Sequence, residues 1–325
     1  MFRWWQRGRR QNEAWLTLFM FAAAGLLRRI EIDYAHLTRE PGPEKALARV
    51  FRTVDSERKA KLRSAIVRGG ISATLQAGLR DRRPAVRARS AILCGLLTIE
   101  ELIPAVGPLL WDPQARVATS AARALGRMPG TTSADQLLSA VRSSRCSIGR
   151  LAIELARAAP AGYFQKAIAL ERHPRVQHAL AVAAGLSSHA AVTDLRPLLS
   201  ASRAEVRAAA CHALGAGGRS AVAGLVVPLL KDQHPSVRTA AAKALGRNGD
   251  LTCGSELVLA GLDPDANVRA SARAALRRLQ AFGLREDAVV QARASRTASS
   301  ARPSQLSPVA ASAALSFLHS TEGGN

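Results

Sequence analysis
The sequence predicts an all-α fold, an α-α superhelix of about seven helical hairpins, each about 31 residues long. Three regularities predict it. Val86, Val117, Ile148, Val176, Val206, Val237 and Val268 recur at near-constant spacing. Nine residues after these anchors stand Gly95, Gly126, Gly185, Gly215 and Gly246, with Arg157 and Arg277 in the other two units. Five residues before them stand Asp81, Asp112, Asp232 and Asp263, with Glu171 in the fourth unit. A period in this range is the mark of a stacked-repeat architecture.

The stretch from Leu229 to Asp250 shows one unit in full. An apolar helix end, Leu229-Leu230, leads to a turn containing Asp232 and Pro235. Pro suits a first helical turn because its missing N–H would be unpaired there in any case. Val237, Ala240, Ala241, Ala244 and Leu245 then share one helix face. Gly246 closes the pattern where a residue free to take positive φ is wanted. The first helices end in Pro-Leu-Leu motifs at Pro108, Pro197 and Pro228. A lone hairpin cannot bury both apolar faces, so neighbouring units must stack. Aromatics are only 4% of the chain, so that core is built from small and aliphatic side chains.

Net charge is +22, which favours acidic partners: nucleic acid, an anionic membrane surface or an acidic protein. Lys supplies only six of the 46 basic residues, and an Arg- and Ala-rich chain also follows from GC-rich coding, so charge alone names no partner. Cys94, Cys146, Cys211 and Cys253 stand far apart and form no Cys-x-x-Cys pair. That spacing implies neither a disulfide framework nor a zinc site, and it suits a reducing, cytoplasmic compartment.

Residues 1–37 form a basic and hydrophobic N-terminal segment. The apolar run from Ala14 to Leu27 is shorter than the roughly 20 residues a membrane span needs. Arg28 and Arg29 stand where a signal-peptide cleavage site would be. Three readings stay open. One is a membrane-surface helix on the inner face of a membrane, through residues 1–29, with Trp4, Trp5 and Trp15 at the interface and Arg3, Arg7, Arg9 and Arg10 facing lipid. Another is a helix that caps the fold or packs on a partner. The third is a misplaced start, with Met20 or a later residue the true beginning. Residues 38–55 read as a Pro/Gly linker and a short amphipathic helix, residues 56–283 as the solenoid, and residues 284–325 as an Ala/Ser/Arg tail with the composition of disorder.

The run from Leu229 to Gly246, LL-x-D-x₄-V-R-x₂-A-A-x-A-L-G, resembles the HEAT-like repeat of the phycobilisome-lyase type, over about residues 70–280. The resemblance implies a HEAT/armadillo-like solenoid whose second helices line a concave side. It also implies a structural ladder between units, made by Asp81, Asp112, Asp232 and Asp263 with Arg87, Arg207, Arg238 and Arg269. Ala118, Gly149 and Gln177 at the Arg position, and Ser143 and Ala201 at the Asp position, interrupt that ladder in the middle of the array.

The same resemblance raises enzymes, which the residues do not favour. Dinuclear iron hydroxylases built on such repeats carry His-Glu pairs, and no His-Glu dipeptide occurs here. Nothing singles out a chromophore pocket for a bilin lyase. Trp111-Asp112, the one acid–aromatic pair that a repeat-built glycosylase would want, fits a helix end and a ladder rung better. No phosphate loop, nucleophile elbow or metal set appears, so no cofactor is expected. The expectation is a non-enzymatic scaffold that binds an acidic protein on its concave face, with non-specific nucleic-acid binding as the alternative. The expected binding residues lie at registers 2, 6, 9 and 10 of the second helices: Arg123, Arg127, Arg150, Arg157, His178, His212, Lys243, Arg247, Arg277 and Arg278. Glu154 is the single acid at those registers. The stripe lacks base-stacking aromatics, which argues against a single-strand platform.

Overall fold
A computed structural model describes residues 9–23, 38–39, 41–144, 146–216, 222–248 and 251–281. Among them every regular element is a helix, and the architecture is an α-α solenoid of hairpins. The chain divides into two compact units, residues 1–190 and 191–325.

The first unit opens with α1 (Arg9–Ala23), α2 (Pro43–Thr53) and α3 (Ser56–Arg68). Helix α1 packs on α2 and α3 and buries Trp15 and Phe19. That packing takes the apolar face that a membrane-surface helix would need, and it removes Trp15 from the role of interfacial anchor. No helix among the described residues is long and apolar enough to cross a membrane. Of the other proposed anchors, Arg9 and Arg10 open α1, and Arg3, Trp4, Trp5 and Arg7 lie outside the described residues, as does the tail from 282 onward. Asp55 caps α3 by accepting the Arg58 N–H (2.8 Å), and Gly70 (φ 89°) makes the left-handed turn out of it.

Four hairpins follow in this unit. They are α4 (Ile71–Leu79) with α5 (Pro84–Leu97); α6 (Ile103–Val106) with α7 (Ala115–Leu125); α8 (Thr131–Ser143) with α9 (Ile148–Ala158); and α10 (Tyr163–Leu170) with α11 (Pro174–Leu186). The second unit holds α12 (Val192–Leu195) with α13 (Ala204–Ala216), α14 (Ala223–Val226) with α15 (Pro235–Asn248), and α16 (Gly254–Ala260) with α17 (Ala266–Ala281). Helices α6, α12 and α14 are one turn long because Pro108, Pro197 and Pro228 follow. Each proline is the second residue of a 3₁₀ segment (Gly107–Trp111, Arg196–Ser200, Val227–Lys231). A proline inside an α-helix would lose a backbone hydrogen bond and clash with the preceding turn, whereas in the first turn of a 3₁₀ segment its missing N–H has no partner to lose.

The second helices carry the stacking. Val86, Val117, Val176, Val206, Val237 and Val268 are all buried at the third residue of their helices. The glycines nine residues on are not left-handed caps. Gly95, Gly215 and Gly246 lie inside α5, α13 and α15, and the positive-φ glycines among the described residues are Gly42, Gly70, Gly130 and Gly162. Their purpose is clearance. A Cβ on Gly246 would sit 2.6 Å from both Cα and Cβ of Ala275, and one on Gly215 would sit 2.6 Å from Cα of Ala244. A Cβ on Gly95 would likewise reach within 2.5 Å of Ala124 Cα. Glycine facing alanine lets successive second helices approach backbone to backbone, which is how a core nearly free of aromatics stays closely packed.

One unit departs from this register. Helix α9 begins with Ser147 as its N-cap, accepting the Arg150 N–H (3.3 Å), so Ile148 is its first residue and is only partly buried. The buried face runs through Leu151, Ala152, Glu154 and Leu155, one residue behind the register that Ile148 as an anchor would give. Glu154 therefore occupies the seam position held elsewhere by Ala124, Ala244 and Ala275, and it faces Gly126. It is 1% exposed, which overturns its reading as an outward-pointing acid.

Candidate functional site
The turns before the second helices are built by the aspartates. Oδ1 of Asp81, Asp112, Asp232 and Asp263 accepts the backbone N–H two residues on, from Arg83, Gln114, His234 and Asp265 (2.8–2.9 Å). Such an Asx turn starts a helix without a backbone partner. Three of these carboxylates also receive an arginine from the preceding hairpin. Arg87 Nε and Nη2 donate to Asp112 at 2.7 and 3.1 Å, Arg207 to Asp232 at 2.7 and 2.8 Å, and Arg238 to Asp263 at 2.7 and 2.8 Å. The third nitrogen of each fork, Nη1, donates to backbone carbonyls of its own turn, such as Asp81 O and Asp232 O at 2.9 Å. One guanidinium thus joins two hairpins, a use that needs the planar five-donor fork of arginine.

Burial raises the Asp112 and Asp232 carboxyl pKa values, but the hydrogen bonds from Arg87 and Arg207 and from the turn N–H groups outweigh it and hold both low. At Asp263 the Arg238 hydrogen bond is itself the largest influence, and it too holds the carboxyl low.

The ends of the ladder differ. Asp81 pairs with Arg83 within its own turn (3.0 Å), which pulls its pKa down to about 2. Arg269 donates to the carbonyls of Asp263 and Pro264 (both 2.8 Å). Where Ala118, Gly149 and Gln177 replace the arginine, a different bond serves the fourth hairpin. Arg142, from the end of α8, donates to Glu171 Oε2 (2.8 Å), and Gln177 Nε2 donates to the Glu171 carbonyl (3.1 Å). The Asp-position residue of that unit therefore keeps a basic partner, drawn from the first helix rather than the second.

The remaining predicted residues lie on the second helices, except Arg127, which stands in the turn just after α7. In the first unit Arg123, Arg127 and Arg157 are exposed, and Arg150 and His178 are half-buried. In the second unit His212, Lys243, Arg247, Arg277 and Arg278 are exposed. With α9 counted from Ser147, Arg127, Arg157, Arg247 and Arg278 all fall at the tenth residue after the anchor. His212 and Lys243 border an open groove of about 520 Å³ across α13, α15 and α17, whose lining includes Thr239, Ser271 and Asp265. Partial desolvation, and then the charges of Lys243 and Arg247, push the His212 pKa down.

Trp111 is partly exposed at the end of a 3₁₀ segment and donates its indole N–H to Ser143 Oγ (3.0 Å), while Asp112 beside it belongs to the ladder. All four cysteines are buried. No group of three or more His, Cys, Asp or Glu side chains among the described residues is placed to hold a metal ion. The burial of Glu154 was open to sequence reasoning through Leu151, Ala152 and Leu155, whose spacing places the apolar face one residue off Ile148, and through Ser147 as an N-cap.

A family model described as HEAT repeats matches residues 72–157 and 192–277. No curated protein matches the chain. Among solved structures, human deoxyhypusine hydroxylase in complex with glycerol aligns at 16% identity over 84% of this chain and 100% of its own, with a TM-score of 0.34. The complex of CpcE and CpcF of phycocyanin lyase from Nostoc sp. PCC7120 aligns at 17% identity over 79% of this chain and 95% of that one, with a TM-score of 0.30. An engineered protein aligns at 18% identity over 98% and 97%, with a TM-score of 0.37. Alignments at this level transfer no activity. The matched repeats cover more than half of the sequence and coincide with the hairpins described above, so the chain belongs to the HEAT-repeat family.

Proposed function
We propose that this chain is a non-catalytic HEAT-repeat scaffold that holds an acidic partner protein along its second helices. The observation that carries the reading is a division of labour among the basic residues. Arg87, Arg207 and Arg238 point into the ladder and are consumed by carboxylates and carbonyls. Arg123, Lys243, Arg247, Arg277 and Arg278 on the second helices, and Arg127 in the turn after α7, stand exposed with no ion pair to an acidic side chain among the described residues. Exposed like charges cost stability through self-repulsion, and a complementary partner relieves it. The second-helix surface gathers cations but no nucleophile paired with a base, which favours binding over catalysis.

The test is affinity capture from extracts of the source cells at graded salt, with the wild type and a variant carrying R127E, K243E and R247E, both checked for helicity by circular dichroism. The expected result is a protein partner retained by the wild type and lost by the variant. Retention by both, or retention of nucleic acid alone, refutes the reading.

A further inference from the structure
The seam between α7 and α9 contains a carboxylate in a place where the fold needs only a methyl group. Glu154 lies at the register of Ala124, Ala244 and Ala275 and is almost wholly buried. Gly126 opposite makes the room, since a Cβ there would press on the Glu154 side chain, 2.9 Å from its Cβ and 3.1 Å from its Cα. A buried carboxylate is costly unless it is paired, so what surrounds it matters. Oε2 accepts from Arg157 Nη1 at 2.9 Å, and Oε1 lies 4.0 Å from Arg150 Nη1 with no hydrogen-bond partner of its own among the described residues. Arg127, in the turn that follows α7, is within electrostatic reach of the same carboxylate.

The cations outnumber the acid. Arg127 has its pKa lowered first by desolvation and then, against the pull of Glu154, by Arg123 and Arg157. Arg150, Arg157 and Arg127 therefore share one carboxylate, Arg123 adds its charge beside Arg127, and the guanidiniums of Arg123 and Arg127 make no hydrogen bond among the described residues. Their forks are free to take a second carboxylate, bidentately, from solution. The arginines are spread along α7, the turn after it and α9 rather than closed around a point, which suits successive side chains of an extended segment.

We propose that Arg123, Arg127, Arg150 and Arg157 form one receptor for the carboxylates of an acidic partner segment, held in shape from beneath by Glu154 as a positioning residue. The proposal rests on the acidic-partner reading above and adds to it a location and an organiser.

The experiment measures binding of a fluorescent octaglutamate peptide to the full chain at low salt by anisotropy. R127Q and R157Q should each weaken binding by about tenfold, as the loss of a charge-assisted hydrogen-bonding partner does. Glu154→Gln gives opposite signs for the two mechanisms. It raises the net charge by one, so a face acting through bulk charge alone binds octaglutamate more tightly, whereas a receptor organised by Glu154 binds it more weakly. Tighter or unchanged binding overturns the positioning role. Arg157→Lys carries the test if E154Q does not fold. It should weaken binding nearly as much as R157Q where the planar fork matters, and an undiminished affinity overturns the receptor.

Controls separate this proposal from the reading beneath it. Octaglutamate binding that ignores all these changes but is lost in K243Q/R247Q overturns this site and leaves the acidic-partner reading standing. No octaglutamate binding at all overturns both. Displacement of the peptide by millimolar inorganic phosphate, or tighter binding of a DNA duplex, overturns the class of ligand.

Discussion
Gly246→Ala tests the packing of the second helices by the sign of its effect. Gly246 lies inside α15 with ordinary helical backbone, where alanine is normally the better residue by about 1 kcal/mol. Its added Cβ, however, would sit 2.6 Å from both Cα and Cβ of Ala275, short of ordinary van der Waals contact by about 0.8 Å. A backbone Cα cannot rotate aside, so α15 and α17 must separate or shear. Inserting a methyl group into a filled seam costs about 1–3 kcal/mol, and an immovable neighbour places this case in the upper half of that range. After the propensity gain is offset, a net loss of about 1–2 kcal/mol is expected. Urea unfolding followed by circular dichroism measures it as a lower midpoint with unchanged slope. Gly149→Ala is the control, because an added Cβ there meets nothing within 4 Å. It should be neutral or mildly stabilising. If Gly246→Ala instead stabilised the protein, the close-approach account of the glycines would be wrong.

Two further outcomes follow from the ladder and the cysteines. Asp263→Asn removes the charge from a rung whose side chains are only 13% and 9% exposed, and it should cost about 1–3 kcal/mol in the same unfolding assay. Because the folded-state pKa of Asp263 lies below its unfolded value of 3.8, the rung contributes fully above that value and is lost as pH falls through the lowered one. Wild-type stability should therefore drop below about pH 4, and less steeply in D263N; equal acid sensitivity would contradict the rung's contribution. Cys94 and Cys211 have thiol pKa values pushed up to about 12 by burial, so iodoacetamide in native buffer should leave them unmodified and urea should expose them. Native alkylation at the rate of a surface thiol would refute that burial.

The sequence made the hairpins legible because most carry their own punctuation: an acid to build the turn, a valine to enter the core, a run of alanines to face the neighbour. The positions of the glycines were equally plain, yet the reason for them was not. A glycine near a helix end looks the same whether it turns the chain or clears a path, and the distance between two helices is written in neither of them. Glu154 was misplaced for a related cause. Ile148 resembles the other anchors in chemistry and spacing, but Ser147 starts the helix late, and a shift of one residue rotates a helix face by about 100°. That rotation carries a glutamate from the surface into a seam. Arg142 was overlooked because it reaches Glu171 from a first helix, outside the period that marks the other rungs.

The seams and rungs together have a directional grammar. A unit presents an arginine and a glycine to its successor, and an aspartate and an alanine to its predecessor, as Arg207 with Asp232 and Gly215 with Ala244 do between α13 and α15. Such contacts are heterologous, head to tail, so a unit that bears both pairs fits after another of its kind. Gain or loss of one such whole unit would leave its joints matched, while an insertion of half a unit would leave a rung and a seam unmatched.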